Sequence, residues 1–264
     1  MKVSQINIYP IKSLGGINLI AANVEIAGFQ YDRNWMLVDQ TGKFLTQRSL
    51  PEMALIQVEL QENSLLVYRQ LKPENRIEIP FLENSGENIK GTVWDDSVNT
   101  LHVSSEVDKW FSAQLKTNCQ LVKMDLDNKR YIGSKYKVDN EHVSFADSMP
   151  FLIIGQSSLD NLNSKLEEPL PMTRFRPNIV FTGALPFAED DWNNIQIGQV
   201  RFKVTKPCAR CIMTTINQET GTKGKEPLTT LSQYRKVDEK ILFGQNLIAL
   251  DNGKISVGNI IKLN

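Results

Sequence analysis

The chain reads as an α+β protein, mainly β with a few short helices. Short apolar–polar alternating runs follow one another through the first ~115 residues, the spacing of a barrel or sandwich. Helical spacing of apolar side chains is confined to brief stretches. Strand-like runs return after each of those stretches up to the C-terminus.

The first run is Val3–Ile8, which alternates as a half-buried strand should. Asn34–Asp39 is the next clear candidate, with Asp39–Gly42 as its turn and Phe44–Gln47 after it. Leu55–Leu60 and Ser64–Tyr68 pair as a hairpin through Gln61–Asn63. Arg76–Ile79 and Asn88–Trp94 continue the pattern. A helix then follows, capped by Ser104 or Ser105, with Val107, Trp110, Phe111 and Leu115 along one side as core packing.

Residues 119–145 look irregular and polar, which makes them the expected boundary or loop between two units, 1–118 and 119–264. The second unit opens at Asp147–Ile154. It continues with a helix capped by Ser157 or Ser158, and with a strand at Asn178–Thr182. A strand over Gln199–Thr205 leads into two cysteines, and Ile212–Ile216 after them also reads as strand. Pro227–Arg235 is a short helix with proline in its first turn, and strands at Leu247–Leu250 and Gly258–Leu263 close the chain.

Composition narrows the function. The 264 residues carry 30 basic and 30 acidic side chains, and a net charge of +0 argues against nucleic acid as the main partner. A local basic pocket for a small anion stays open. No run approaches the ~18 apolar residues of a membrane span, and the N-terminus lacks the features of a signal peptide. Three cysteines imply a reducing compartment rather than a disulfide scaffold, so a cytoplasmic protein is expected. With only His102 and His142, a three-histidine zinc site is ruled out.

The chemistry concentrates in Cys208-Ala-Arg-Cys211, flanked by Lys206 and Arg210. Nearby positive charge favours the thiolate, the form that binds metal or attacks. A zinc half-site completed by Cys119 and a histidine, a redox dithiol, a pair of inert buried thiols and a single functional thiolate all stay open at this point. Lys12 and Ser13 fall in the loop after the first strand, Arg33 just before another, and Arg174 and Arg176 ahead of a third. Singly these read as ordinary surface charges; brought together they would suit an anion, since guanidinium forks and a lysine charge match a phosphate, and both readings stay open at this point. Asp147-Ser148 reads either as a turn before Pro150 or as an acid beside a reacting centre.

Taken as an ordered set, these stretches resemble the MOSC (molybdenum cofactor sulfurase C-terminal) proteins, in particular bacterial relatives of the mitochondrial amidoxime-reducing component. Tyr9-Pro-Ile-Lys-Ser13 and Asp32-Arg-Asn-Trp35 are similar to that family's N-terminal β-barrel domain. Asp147–Phe151, Phe175–Val180, Cys208–Thr215, Glu226–Leu231, Tyr234-Arg235 and Phe243-Gly-Gln245 are similar to its catalytic β-barrel domain. The resemblance implies that Cys211, and not Cys208, is the ligand to molybdenum in a pyranopterin cofactor. It implies that Lys12, Ser13, Arg33, Ser148, Arg176 and Asn178 hold that cofactor, with Asp147 as the adjacent acid. Ala209 stands where some members have serine, so one hydrogen bond there is expected to be missing.

The activity implied is reduction of N-hydroxylated compounds, N–OH to N–H, with Asp147 as a candidate proton relay. Some bacterial relatives carry an appended ferredoxin domain, but three cysteines are too few for a cluster held by four thiolates. A separate donor of ferredoxin, flavodoxin or cytochrome type is therefore expected. The competing reading is a cofactor-binding or sulfur-carrier module. Substrate choice is expected to lie in the loop 126–146.

Overall fold

The computed structural model describes residues 1–125 and 127–263; Leu126, the first residue of the expected substrate loop, and Asn264 lie outside the described residues. The molecule is mainly β with short helices, as its alternating runs predict. No helix among the described residues is long and apolar enough to cross a membrane.

The largest sheet has nine strands and draws on both ends of the chain. Its order along the sheet is Ile17–Leu19, Lys2–Ile8, Ile179–Thr182, Phe151–Gly155, Lys240–Ala249, Val200–Ala209, Asn194–Ile197 and Ile261–Leu263, with Lys236–Val237 added beside Lys240–Ala249. Neighbours run antiparallel except Phe151–Gly155 and Ile179–Thr182, which are parallel, so the chain must cross over between them; the helix Gln156–Asn163 lies in that crossover. The first strand packs Ile6 and Ile8 into the same core as Phe151, Phe181, Phe202 and Leu247. Gly253–Ser256 pairs with Ala21–Glu25, so the C-terminal region also reaches back to the N-terminal one.

A second core lies under the remaining N-terminal strands. Ile56–Leu60, Ser64–Arg69 and Lys72–Pro80 form the expected hairpin and its continuation. The helix Ser105–Leu115 buries Val107, Phe111 and Leu115 against them. Ser104 is its cap, with the hydroxyl accepting from the Val107 N–H at 3.4 Å, as the sequence indicates.

Four local expectations are corrected. Gln120–Met124, placed in an irregular region, is a strand between Trp35–Val38 and Asp96–His102, with Leu121 and Val122 fully buried. Its two buried faces remove the alternation that marks a half-buried strand. Phe44–Gln47 contributes only a bridge from Phe44 to Val38. Ser158 does not cap its helix: its hydroxyl donates to the buried carboxylate of Glu189, at 2.9 and 3.0 Å to the two oxygens. Ile212–Thr215 is a 3₁₀ turn rather than a strand, closed by the Thr214 N–H on the Cys211 carbonyl at 3.0 Å.

Candidate functional site

A cleft of about 450 Å3 opens where the N-terminal loops meet the large sheet. Its lining includes Lys12, Ser13, Arg33, Asp147, Ser148, Arg176, Asn178 and Cys211, the residues that the family resemblance singles out. Cys208 lines it too, whereas Cys119 is buried elsewhere, against Ser112. Burial pushes the Cys119 thiol up to about 11, so it takes no part in thiolate chemistry.

The strand Val200–Ala209 delivers the cysteines to the cleft. The chain leaves that strand at Arg210, and Cys211 stands exposed at the start of the 3₁₀ turn. Arg210 is fixed by a 2.6 Å hydrogen bond to the Phe175 carbonyl, and it places a second N–H 2.9 Å from the Cys208 sulfur. Cys208 thus has a protein partner, while Cys211 presents its side chain to the cleft.

The basic residues come from three loops whose backbones are unusual. Ser13, Arg33 and Arg176 have φ of 68°, 52° and 53°, a region that L side chains seldom occupy. Such conformations persist only where the surroundings enforce them, and they cluster at functional sites. The surroundings are visible here. The fully buried Gln47 donates to the Ser13 carbonyl at 2.8 Å. Arg33 pairs with Asp32, donates to Asn178 at 3.2 Å, and lies over the Tyr9 ring at 4.4 Å from its centroid. Arg176 covers the Tyr9 ring as well, at 4.1 Å, and donates to the Leu14 carbonyl at 2.7 Å.

Asn178 has its amide engaged on all sides. The oxygen accepts from Arg33 and from the Leu152 N–H, and the nitrogen donates to Asn7 O and Asp32. Its part in the cleft is to hold the Asp32–Arg33 pair.

Electrostatics make the cleft exceptional in a neutral chain. Eight basic side chains line it against two carboxylates, Asp147 and Asp238. Burial pushes the Arg176 guanidinium down to about 10 and lowers Lys12 and Arg174 in the same direction. For Lys12, the neighbouring Asp147 opposes that shift. Arg210 Nε is buried with no partner. Uncompensated buried cations are costly, and an anion with several acceptor oxygens relieves that cost.

Asp147 lies among three donors at the cleft. Partial burial favours its neutral form, but the charges of Lys12 and Arg48, with hydrogen bonds from Lys12 and Trp94, outweigh it and hold the carboxyl well below the usual range. The distances are 2.5 Å to Lys12, 3.3 Å to Arg48 and 3.3 Å to Trp94. A carboxylate so held is an anchoring anion in the neutral range.

Arg48 is the residue that sequence reading overlooked. It stacks on Trp94 at 4.5 Å and reaches Asp147 across 99 residues of chain, a relation that no local pattern carries.

The donor set fits a molybdenum–pterin cofactor. The volume suits a ligand of that size. The cationic excess suits a phosphate, and an open thiol at Cys211 suits a soft metal.

Comparison with known proteins identifies the family. The family described as the MOSC N-terminal beta barrel domain matches residues 1–118, and the MOSC domain matches residues 140–262. Mitochondrial amidoxime-reducing component 1 of Mus musculus is 31% identical over 99% of this chain and 82% of its own length. The Homo sapiens protein of that name is 30% identical over the same shares. Molybdenum cofactor sulfurase of Arabidopsis thaliana is 33% identical over 92% of this chain, but the match spans about a third (32%) of the plant protein.

Proposed function

We propose a function from one premise: the chain belongs to the MOSC family, on the side of the mitochondrial amidoxime-reducing components. It is a molybdenum-cofactor-dependent oxidoreductase that reduces N-hydroxylated compounds, with electrons from a separate donor protein. The observation that supports this best is the open thiol of Cys211 sharing one cleft with a large cationic excess.

Cys211 would ligate the metal. Lys12, Arg33 and Arg176 would hold the cofactor phosphate, with Ser13 and Ser148 adding hydroxyl donors. When bound, the group supplies two-electron oxygen-atom chemistry that no side chain here provides. Asn178, Asp32 and Gln47 fix the cationic loops in advance, so binding costs little reorganisation. Asp147 keeps Lys12 and Arg48 in place as an anion, and it remains the proposed relay for the proton consumed in the reaction.

The test is metal content together with activity. Protein from a molybdenum-replete host is expected to hold one molybdenum per chain and to reduce benzamidoxime with reduced viologen. Cys211→Ser should lose both, and Cys208→Ser should retain much of each.

A second reading, a cofactor-binding or sulfur-carrier module, draws on the match to part of a molybdenum cofactor sulfurase. Full molybdenum loading without reduction of any N-hydroxylated compound would favour it. The proposed setting is the cytoplasm, and the proposed division into modules is 1–118 and 119–264.

A further inference from the structure

Behind the cleft lies a buried guanidinium that none of the site chemistry uses. Arg130 is in the short strand Arg130–Tyr131, paired with His142–Val143, and its side chain is only 6% exposed. It does not line the cleft. Its Nε donates to Asp96 at 2.6 Å, Nη1 donates to the carbonyls of Ser144 (3.1 Å) and Ala146, and Nη2 donates to the carbonyl of Asp147 at 3.0 Å. The carbonyl skipped by Arg130, that of Phe145, accepts from Lys12 at 2.7 Å.

Four consecutive carbonyls, 144 to 147, are therefore held by two cations approaching from different elements. The Phe145 N–H is tied to the Arg33 carbonyl at 2.9 Å, and the Phe145 ring is fully buried beside Met36 and Val38. This strap carries Asp147 and Ser148 into the cleft.

We propose that Arg130, oriented by Asp96, is a positioning residue. Its fork sets the strap 144–148 so that the Asp147 carboxylate meets Lys12, Arg48 and Trp94. A planar fork with donors in fixed directions can hold three carbonyls at once, whereas a lysine ammonium lacks that geometry. Outer residues that orient a site typically change affinity or activity by 10- to 100-fold when altered. The geometric claim stands on the strap alone; its consequence for metal loading rests on the cofactor reading above.

The test uses the full chain with Arg130→Gln and two measurements. The first is carboxyl 13C NMR of Asp147 in protein without cofactor. Wild type should show no Asp147 titration between about pH 3 and 6, and the variant should show a midpoint near the ordinary aspartate value of about 3.9. The second is molybdenum content, expected to fall about ten-fold.

A purely structural Arg130 would lower the melting temperature while leaving the Asp147 titration and the molybdenum per folded chain as in wild type. That result overturns the proposal. If the glutamine variant does not fold, Arg130→Lys is measured in the same way, with a smaller shift in the same direction expected. Cys211→Ser is the control. It should lose molybdenum and keep the wild-type Asp147 titration, so failure of the cofactor reading stays separate from failure of the clamp.

Discussion

At the scale of single residues, the three cysteines differ in what surrounds them. Cys211 is exposed, Cys208 is partly covered and touched by Arg210, and Cys119 is buried with its thiol pushed up to about 11. A thiol-specific reagent at mildly alkaline pH should therefore modify Cys211 and Cys208 in the native protein. Cys119 should react only after denaturant is added; a third fast equivalent would contradict this burial. Asp147 allows a second prediction with a definite sign. Its folded carboxyl lies below its unfolded value, so its ion pairs stabilise the protein above about pH 3.9. That contribution is lost as the pH falls further, through the folded value. Because the side chain is 49% exposed, solvent screening keeps the effect to about 1 kcal/mol or less. Asp147→Asn should thus be slightly less stable than wild type to urea at neutral pH, and the gap should close in acid.

At the scale of elements, the strand Gln120–Met124 and the strand Lys240–Ala249 each lie inside a sheet, paired on both edges. The first joins two strands on its flanks and buries Leu121 in the N-terminal core. Leu121→Ala should cost about 2–5 kcal/mol in denaturant unfolding, the range for a fully buried leucine. The second strand contains Gly244, where φ is +81° and an added Cβ would lie 2.9 Å from the Ile153 carbonyl oxygen. Gly244→Ala combines that clash with a left-handed backbone. It should lower stability by more than about 1 kcal/mol, readable as a drop in melting temperature. An alanine variant as stable as wild type would mean that the backbone relaxes at this position without strain.

At the scale of the whole molecule, the chain is woven rather than strung. Lys2–Ile8 sits inside the large sheet between Ile17–Leu19 and Ile179–Thr182, and Gly253–Ser256 pairs with Ala21–Glu25. A fragment spanning 119–264 would expose the edge of Ile179–Thr182 and the part of the core around Phe181 that Val3, Ile6, Ile8 and Phe29 cover. Expressed alone it should aggregate, and the intact chain should unfold in one transition by both circular dichroism and tryptophan fluorescence. A folded, cooperatively melting fragment would show instead that the two matched regions are independent.

Much of this was legible in one dimension. Alternation marked the hairpin 56–69, Ser104 and Ser105 announced the start of a helix, and the ordered motifs pointed to Lys12, Ser13, Arg33, Asp147, Arg176 and Cys211, which share one cleft. These signals are local or carried by residue type, and such information survives in a string. What the string lacked was relation across distance. It could not show that Gln120–Met124 has two covered faces, that Asp147 is ion-paired with Lys12 and Arg48, or that Arg130 grips the strap that carries it. Half-buried strands, helix caps and candidate chemistry follow from near neighbours, so the sequence determined those. Ionisation, strain and the meeting of cations in one cleft depend on groups brought together from far along the chain, and only the tertiary structure decided those.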